Sequence, residues 1–434
     1  MSMSLLAILG IILLIVLLLA GVHIGFAMMI VGFIGYVTVV SMTGGIGMLK
    51  SVPFAQTANY SLAVIPLFVL MGQFAFASGL SGDLYDACYK FFGRIPGGLA
   101  VSTIVASAGF AAICGSSSAS SATMGVVCLP EMKRYKYHDG LSTGCLAAGG
   151  TLGILIPPSV GFILYGIASE ESIGALFAAG VIPGIILTGC YILAIIIQVV
   201  RNPEKGPKGE KFTAKEKMQS LVKIIPILIL FVLVIGGIFI GWFTANEGGA
   251  IGAFGTMLFM LYRKWGKWKE FFNAVFEAAK TTAMIFLIIT GAYVFGYFLT
   301  VTMLPTMLAT TIAGLAVPKY LILILILIVY VALGCIMDSL SMIVLLVPIF
   351  LPVAQSLGFD TIWFGVLMVM VMEMGQITPP VGINAFIIAG IAKDVPLGTV
   401  FKGLVPFILA LTVAIAIVLI FPQLSLMIPH MLYG

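Results

Sequence analysis

The sequence predicts an all-α polytopic membrane protein built on an inverted-topology repeat, with two re-entrant helical hairpins and two broken transmembrane helices. Three observations predict it. Of the 434 residues, 61% are hydrophobic and only 9% are charged, and the mean hydropathy is +1.22. A soluble domain carries about a quarter charged residues, and 21 Lys/Arg with 16 Asp/Glu cannot cover a soluble globule of this length. There are 50 glycines and 20 prolines, most of the prolines inside or beside apolar runs; simple anchoring helices have no need of them, whereas helices interrupted around a polar site do. Finally, one pattern of interruptions occurs twice, once in each half of the chain.

The same composition excludes a secreted disulfide scaffold, a disordered chain and a nucleic-acid binder. The formal charge of +5 reports mainly on orientation in the lipid bilayer. The six cysteines show no CxxC spacing and the three histidines are scattered, so no metal centre is suggested. At roughly 20 apolar residues per span there is room for about a dozen membrane segments.

In chain order, residues 1–94 read as N-terminal scaffold helices. The apolar run from Leu5 to Val40 is too long for one span and divides at Gly21-Val22-His23; it reads as membrane segment rather than a removed signal. A span follows from Ser61 to Ser78, then an amphipathic stretch from Asp83 to Arg94. The first repeat occupies 95–200: a hairpin over 98–130 interrupted by the Gly-Ser block at 115–121, a helix over 141–168 broken at Pro157-Pro158, and an unbroken helix over 173–200. Residues 201–223, dense in Lys and Arg, read as a cytoplasmic linker. Scaffold helices resume over 224–317, with Thr302 to Val317 open between a short span and an interfacial helix. The second repeat covers 318–427: a hairpin over 320–352 interrupted near Gly334 to Ser339, a helix over 363–392 broken at Thr378-Pro379-Pro380, and a last span over 397–421.

Internal repetition is sought before motifs. Gly153-Ile154-Leu155-Ile156-Pro157-Pro158-Ser159-Val160-Gly161 parallels Gly375-Gln376-Ile377-Thr378-Pro379-Pro380-Val381-Gly382, and Ile-Ala, a short charged turn and an apolar run with proline follow each. Basic residues at Arg94 and Lys133-Arg134-Lys136 flank both ends of the first hairpin and place them in the cytoplasm. Lys393 and Lys402 follow the second broken helix, so the second hairpin enters from outside, with Lys319 as the one cation against that assignment. The repeats therefore have opposite orientation, the arrangement of secondary transporters. Both termini fall outside.

A polar solute at mid-membrane needs replacement ligands. Unwound helices supply them: half-helix N-termini favour anions and carbonyl ends suit a small cation. Ser116, Ser117, Ser118, Ser120 and Ser121 offer hydroxyls that donate and accept. A double proline removes two N–H donors and leaves upstream carbonyls without helical partners, which at Pro157 and Pro379 makes them candidate cation ligands; Thr378 and Asn384 add side-chain oxygens. Asp338 and Glu373 lie deep in apolar runs, where a carboxylate is costly unless paired, protonated or wetted. Asp338 is expected in hairpin-tip hydrogen bonding or cation-site electrostatics. Glu373 reads as a cap or brace of the broken helix or as a substrate contact, and the sequence does not separate these. The expected substrate-facing residues are Ser116, Ser117, Ser118, Ser121, Asp338, Ser339 and Asn384. No nucleophile–base pair or nucleotide-binding motif points to an enzyme or an ATP-driven pump.

Gly115 to Ala119, Leu129-Pro130-Glu131-Met132, Ile156 to Ser159, Gly334 to Ser339 and Glu373 to Asn384 together resemble the large membrane subunit, DctM type, of the tripartite ATP-independent periplasmic (TRAP) transporters, over nearly the whole chain. The resemblance implies a bacterial inner-membrane ion transporter with an elevator-type architecture. It implies sodium-gradient-driven symport of an organic acid, such as a C4-dicarboxylate, sialic acid or another sugar or keto acid. It implies two partners, a small four-helix membrane subunit and a periplasmic substrate-binding protein, and no cofactor beyond sodium as coupling ion. Its sodium sites map onto Ser116, Ser117 and Ser120 with carbonyls near Gly153 and Pro157, and onto carbonyls near Gly334 and before Pro379 with Thr378. Many members carry Asn where this chain has Ser120, a shorter side chain with one oxygen. The rival readings are a stand-alone proton- or sodium-coupled anion carrier of related fold, an intramembrane enzyme and a non-transporting scaffold.

Overall fold

The computed structural model describes residues 3–314 and 317–433. Its elements are helices, joined by turns and two short 3-10 segments. The N-terminal group comprises α1 (Met3–Leu19), α2 (Ile24–Val39), α3 (Met42–Thr57), α4 (Val64–Ala77) and α5 (Leu80–Phe92). The division of the first apolar run falls where expected, and His23 caps α2 by accepting from the Gly25 N–H at 3.3 Å. Sequence reasoning did not separate α3. Three glycines, Lys50, Ser51 and an internal Pro53 dilute its apolar pattern, yet Ser41 caps it and Met48 and Val52 are buried.

The first repeat contains α6 (Gly98–Cys114), α7 (Ser117–Arg134), α8 (Asp139–Leu155), α9 (Val160–Ser169) and α10 (Ile173–Arg201). The α6–α7 pair forms a hairpin, and α8 and α9 meet at a 41° bend across the double proline. The basic stretch after α10 is linker only over 202–213. At Ala214 it becomes the first turn of α11 (Ala214–Ile240), because Thr213 and Glu216 form a capping box that satisfies two helix-end N–H groups. A second capping box, Thr244 with Glu247, starts α12 (Ala245–Arg263). Next comes α13 (Trp268–Val301), whose 34 residues span about 51 Å at 1.5 Å per residue. That exceeds the hydrocarbon core, so its first turns project beyond it on the side of Arg263 and Lys264. The ambiguous stretch from Thr302 holds a short helix, α14 (Leu304–Ala313); Leu315 and Ala316 lie outside the described residues.

The second repeat mirrors the first in element order: α15 (Lys319–Gly334), α16 (Ser339–Ser356), α17 (Thr361–Gln376), α18 (Ile383–Ile391) and α19 (Leu397–Ile420), followed by α20 (Gln423–Tyr433). The caps keep register. Ser116 and Asp338 cap the second hairpin arms, and the same separation relates the caps of the broken helices, His138 and Asp360. Packing follows the same relation crosswise, with α9 against α16 and α18 against α7. The two repeats thus interlock instead of lying side by side.

At their centre run α8 and α17. Every residue from Gly140 to Leu155 is buried, and so is nearly all of α17. The Gly, Ala, Ser and Thr of α8 let neighbouring backbones approach closely, as membrane helix packing requires. A separate group of α2, α4, α11, α12 and α13 packs together as a scaffold, α2 along α13 and α4 against α12 and α13. The exterior is apolar: Leu228, Ile229 and Val232 on α11, and Val405, Leu409 and Val413 on α19, point outward as a lipid-facing surface must. Among the described residues, six helices are long and apolar enough to cross a membrane, or seven with the bent α8–α9 pair. That is fewer than a dozen, because α1, α2, α6, α15 and α17 are apolar but only 16 or 17 residues long.

Candidate functional site

The four interruptions converge. At the first hairpin tip, α6 ends on Gly115, whose φ of +64° is left-handed and suits glycine. Ser116 is then extended and caps α7, accepting from the Ala119 N–H at 3.4 Å. At the second tip the capping group is Asp338. One carboxylate oxygen accepts from the Ser341 N–H at 3.1 Å and the other takes the Ser341 hydroxyl. Each broken helix closes onto the tip of its own repeat. The Val160 N–H donates to the Gly115 carbonyl at 3.3 Å, and the Gly382 N–H donates to the Cys335 carbonyl at 3.1 Å. Backbone groups left over at the breaks are thus used to hold the tips.

The prolines free carbonyls, but not all stay free. Pro158 has no N–H for the Ile154 carbonyl, and the Ser159 hydroxyl takes it instead. The Thr378 hydroxyl donates to the Met374 carbonyl at 2.6 Å. The Gly153 carbonyl, four residues before Pro157, and the Gln376 carbonyl, four before Pro380, lose their helical donors. Equivalent glycines allow close approaches in the two repeats. A Cβ on Gly153 would stand 2.6 Å from the Ser116 carbonyl oxygen and 2.7 Å from the Ser120 hydroxyl; one on Gly375 would stand 2.5 Å from the Gly334 carbonyl carbon. Ser116, Ser120 and Gly153 are therefore neighbours, as are Gly334 and the stretch leading to Thr378 and Pro379.

Below both tips lies Glu373, fully buried. Its Oε2 accepts the Ser117 hydroxyl at 2.6 Å and its Oε1 accepts the Ser339 hydroxyl at 2.7 Å. Of the roles left open for Glu373, the structure supplies a brace, and the braced elements are the two hairpins. One turn on, Gln376 donates to the Met337 carbonyl at 2.7 Å and to the Gly334 carbonyl at 3.2 Å. From across the double proline, Asn384 donates to the Ser117 hydroxyl at 2.7 Å. Asn384 Oδ1 and the Ser121 hydroxyl are buried without a hydrogen bond, and the Ser120 hydroxyl is buried beside the Cys114 thiol.

Above the tips is a cavity of about 600 Å³. One wall is Ser116 to Ala119 and the other Asp338 to Leu340; the scaffold side is closed by α4 and α13. Five expected substrate-facing residues line it: Ser116, Ser117, Ser118, Asp338 and Ser339. Ser121 and Asn384 do not. Ser121 lies on the face of α7 that meets α8, where Gly150 leaves room for its hydroxyl, and Asn384 sits behind Ser117. Sequence reasoning missed the scaffold contribution of His23, Gln73, Glu277 and Thr281. Gln73 carried a readable signal, a lone amide in the apolar α4. The cavity lining contains no Lys or Arg among the described residues.

Residues 11–424 match the model of the tripartite ATP-independent periplasmic transporter, DctM component. The chain belongs to the DctM family. It is 35% identical over 380 residues to the C4-dicarboxylate TRAP transporter large permease protein DctM of Pseudomonas aeruginosa, covering 87% of this chain and 88% of that one. It is 31% identical over 427 residues to the sialic acid TRAP transporter large permease protein SiaM of Vibrio cholerae, covering 96% and 97%. Among solved structures, the Alcanivorax borkumensis YdaH transporter, described as having an unusual topology, superposes with a TM-score of 0.63 at 16% identity, over 87% of this chain and 88% of that one. At that identity the likeness concerns fold alone. This DctM-family chain is thus a multi-pass inner-membrane transport protein and the large permease of a TRAP system.

Proposed function

We propose that the chain carries an organic acid across the inner membrane by sodium symport, with its interlocked repeats moving as one body against the scaffold. The carrying observation is that two equivalent hairpin tips face one cavity where the repeats meet the scaffold helices. Relatives of this chain are named for C4-dicarboxylate and for sialic acid. The substrate carboxylate is assigned to the N-terminal end of α7, where helix-end N–H groups and the Ser116 and Ser118 hydroxyls can meet an anion. Asp338 and Glu277 on the other sides of the cavity disfavour a second negative charge. A monocarboxylate with hydroxyl groups, a sugar acid or keto acid, therefore suits it better than a dicarboxylate.

Sodium is assigned to two places. One is formed by Ser116, Ser117 and Ser120 with carbonyls near Gly153 and Pro157. The other is formed by Thr378 with carbonyls near Gly334 and before Pro379. Ion binding there orders the interrupted backbone and lowers the cost of admitting the anion, so the two affinities are reciprocally linked. The cavity runs along α13 from Ile288 to Glu277, towards the end bearing Arg263 and Lys264. By the positive-inside rule that end is cytoplasmic, so this conformation is the inward-facing one. The partners are a small four-helix membrane subunit and a periplasmic binding protein that delivers substrate.

Uptake of labelled organic acids into proteoliposomes tests this reading. Accumulation should need the chain, the small subunit, the binding protein and an inward sodium gradient together. Uptake by the chain alone, or driven only by a proton gradient, would replace it with a stand-alone carrier.

A further inference from the structure

Glu373 has no counterpart in the first repeat. Its equivalent there is Thr151, whose hydroxyl donates to the Ala148 carbonyl at 2.6 Å and lies 2.9 Å from the Tyr191 hydroxyl. The two serines bound to Glu373 are equivalent to one another, each following the cap of its hairpin's second arm. A single buried carboxylate therefore sits where the symmetry of the repeats is broken, and contacts the same position in both. Among the described residues it has no ion-pair partner. Two hydroxyl donors, and at either tip a bound cation, would offset the cost of its burial. Beside it, the amide that binds Ser117 holds a buried oxygen, Asn384 Oδ1, with no hydrogen bond.

We propose that Glu373 is a positioning residue that couples the two hairpin tips: it holds Ser117 of one and Ser339 of the other, so a cation bound at one tip stabilises the arrangement of the other. The inference rests on the sodium-symport reading and goes beyond it by naming the group through which the two ion sites communicate. It also fixes the polarity of the cavity floor. A hydroxyl has one hydrogen, and Ser117 and Ser339 each spend theirs on Glu373. Ser339 keeps its lone pairs for the cavity and Ser117 the one that Asn384 leaves free, suited to a cation or to substrate hydroxyls. The substrate carboxylate is left to the helix-end N–H groups and the other serines.

Glu373→Gln tests the coupling with little change of shape. The amide oxygen accepts from one serine and the NH2 donates to the other, so both contacts can persist, one of them reversed, while the carboxylate is lost. Half-saturating sodium for uptake should rise about tenfold, the scale of one charged hydrogen bond. Cooperativity in sodium should fall, while substrate KM at saturating sodium changes much less. Glu373→Asp, which keeps the charge, should recover part of the sodium response. In the purified full-length protein without partners, sodium should slow amide exchange at 114–120 and 335–342 together compared with potassium. In Glu373→Gln the two segments should respond separately. Joint protection that survives in Glu373→Gln overturns the inference, as does a wild-type protein whose tips ignore sodium. So does an equal loss in Gln and Asp variants together with a lowered thermal midpoint, which would mark a merely structural group. Failure of reconstituted uptake with intact joint protection counts instead against the transport reading.

Discussion

The two hairpin tips share a backbone plan but not a chemistry. Both end a first arm at a break, cap a second arm, and receive an N–H from the broken helix of their own repeat. The first tip is capped by a neutral serine and followed by a block of hydroxyls; the second is capped by a carboxylate. The repeat supplies the geometry, and differences at single positions, Ser116 against Asp338 and Thr151 against Glu373, supply the polarity. A cavity between two identical tips would present the same groups on both walls. This one presents a helix N-terminus without an acid on one wall and an acid on the other, an asymmetry that would orient the proposed anionic substrate.

The largest effects are expected where the tips touch the broken helices. Gly375→Ala would place a methyl 2.5 Å from the Gly334 carbonyl carbon and 2.9 Å from the Val331 oxygen, all backbone. Gly153→Ala meets a backbone oxygen and the movable Ser120 hydroxyl. Overpacking of this kind costs about 1–3 kcal/mol. Both variants should lower the thermal midpoint of the purified protein and reduce uptake more than tenfold, with Gly375→Ala the more damaging. Equal tolerance at the two positions would show that the tips are softer than their close contacts imply.

Next in size are the caps. Ser116→Ala and Asp338→Ala should each destabilise by about 1 kcal/mol, the cost of an N-cap. Asp338→Asn separates cap from charge. Asparagine still caps, so the thermal midpoint should stay near wild type, while uptake of a dicarboxylate should improve relative to that of a monocarboxylate. An unchanged substrate ratio would remove Asp338 from substrate discrimination and leave it a cap.

Which parts of this were legible in the sequence follows from the physics of the bilayer. A break in a membrane helix is expensive, so the Gly-Ser block at 115–121, the run from Gly334 to Ser339 and the two double prolines stood out against apolar surroundings. Their duplication was read from the matched motifs around Pro157-Pro158 and Pro379-Pro380, and the flanking charges carried the expectation of opposite orientation. Side-chain direction was not legible at the same resolution. Ser118 and Ser121 belong to one polar block, yet one lines the cavity and the other is packed beneath Gly150. Partners distant in sequence were invisible as well: Glu373 reaches Ser117 256 residues away. The scaffold wall was lost for a third reason. Thr281 lies on a helix whose pattern reads as ordinary span, and only assembly brings it to the cavity.

The smallest effect expected concerns the same two elements that the tip joins most firmly. At the buried end, α7 is tied to α18 by the Asn384–Ser117 hydrogen bond; at the exposed end, Lys133 near the end of α7 pairs with Asp394 in the turn after α18. Lys133 holds the Asp394 carboxyl below its ordinary range. The folded-state value is depressed, so any contribution to stability is present above the unfolded carboxylate value near 3.9 and is lost as pH falls through the lower folded value. Asp394 is 67% exposed, however, and solvent and salt screen the pair. Lys133→Ala should return the Asp394 titration to the ordinary range and leave the thermal midpoint at neutral pH unchanged within error. Ser117→Ala, which strips a donor from Glu373 and an acceptor from Asn384, should cost roughly 1–3 kcal/mol. If the exposed pair proved the more costly to break, the two elements would be held at their cytoplasmic ends, and the tip hydrogen bonds would be free to rearrange when ions bind.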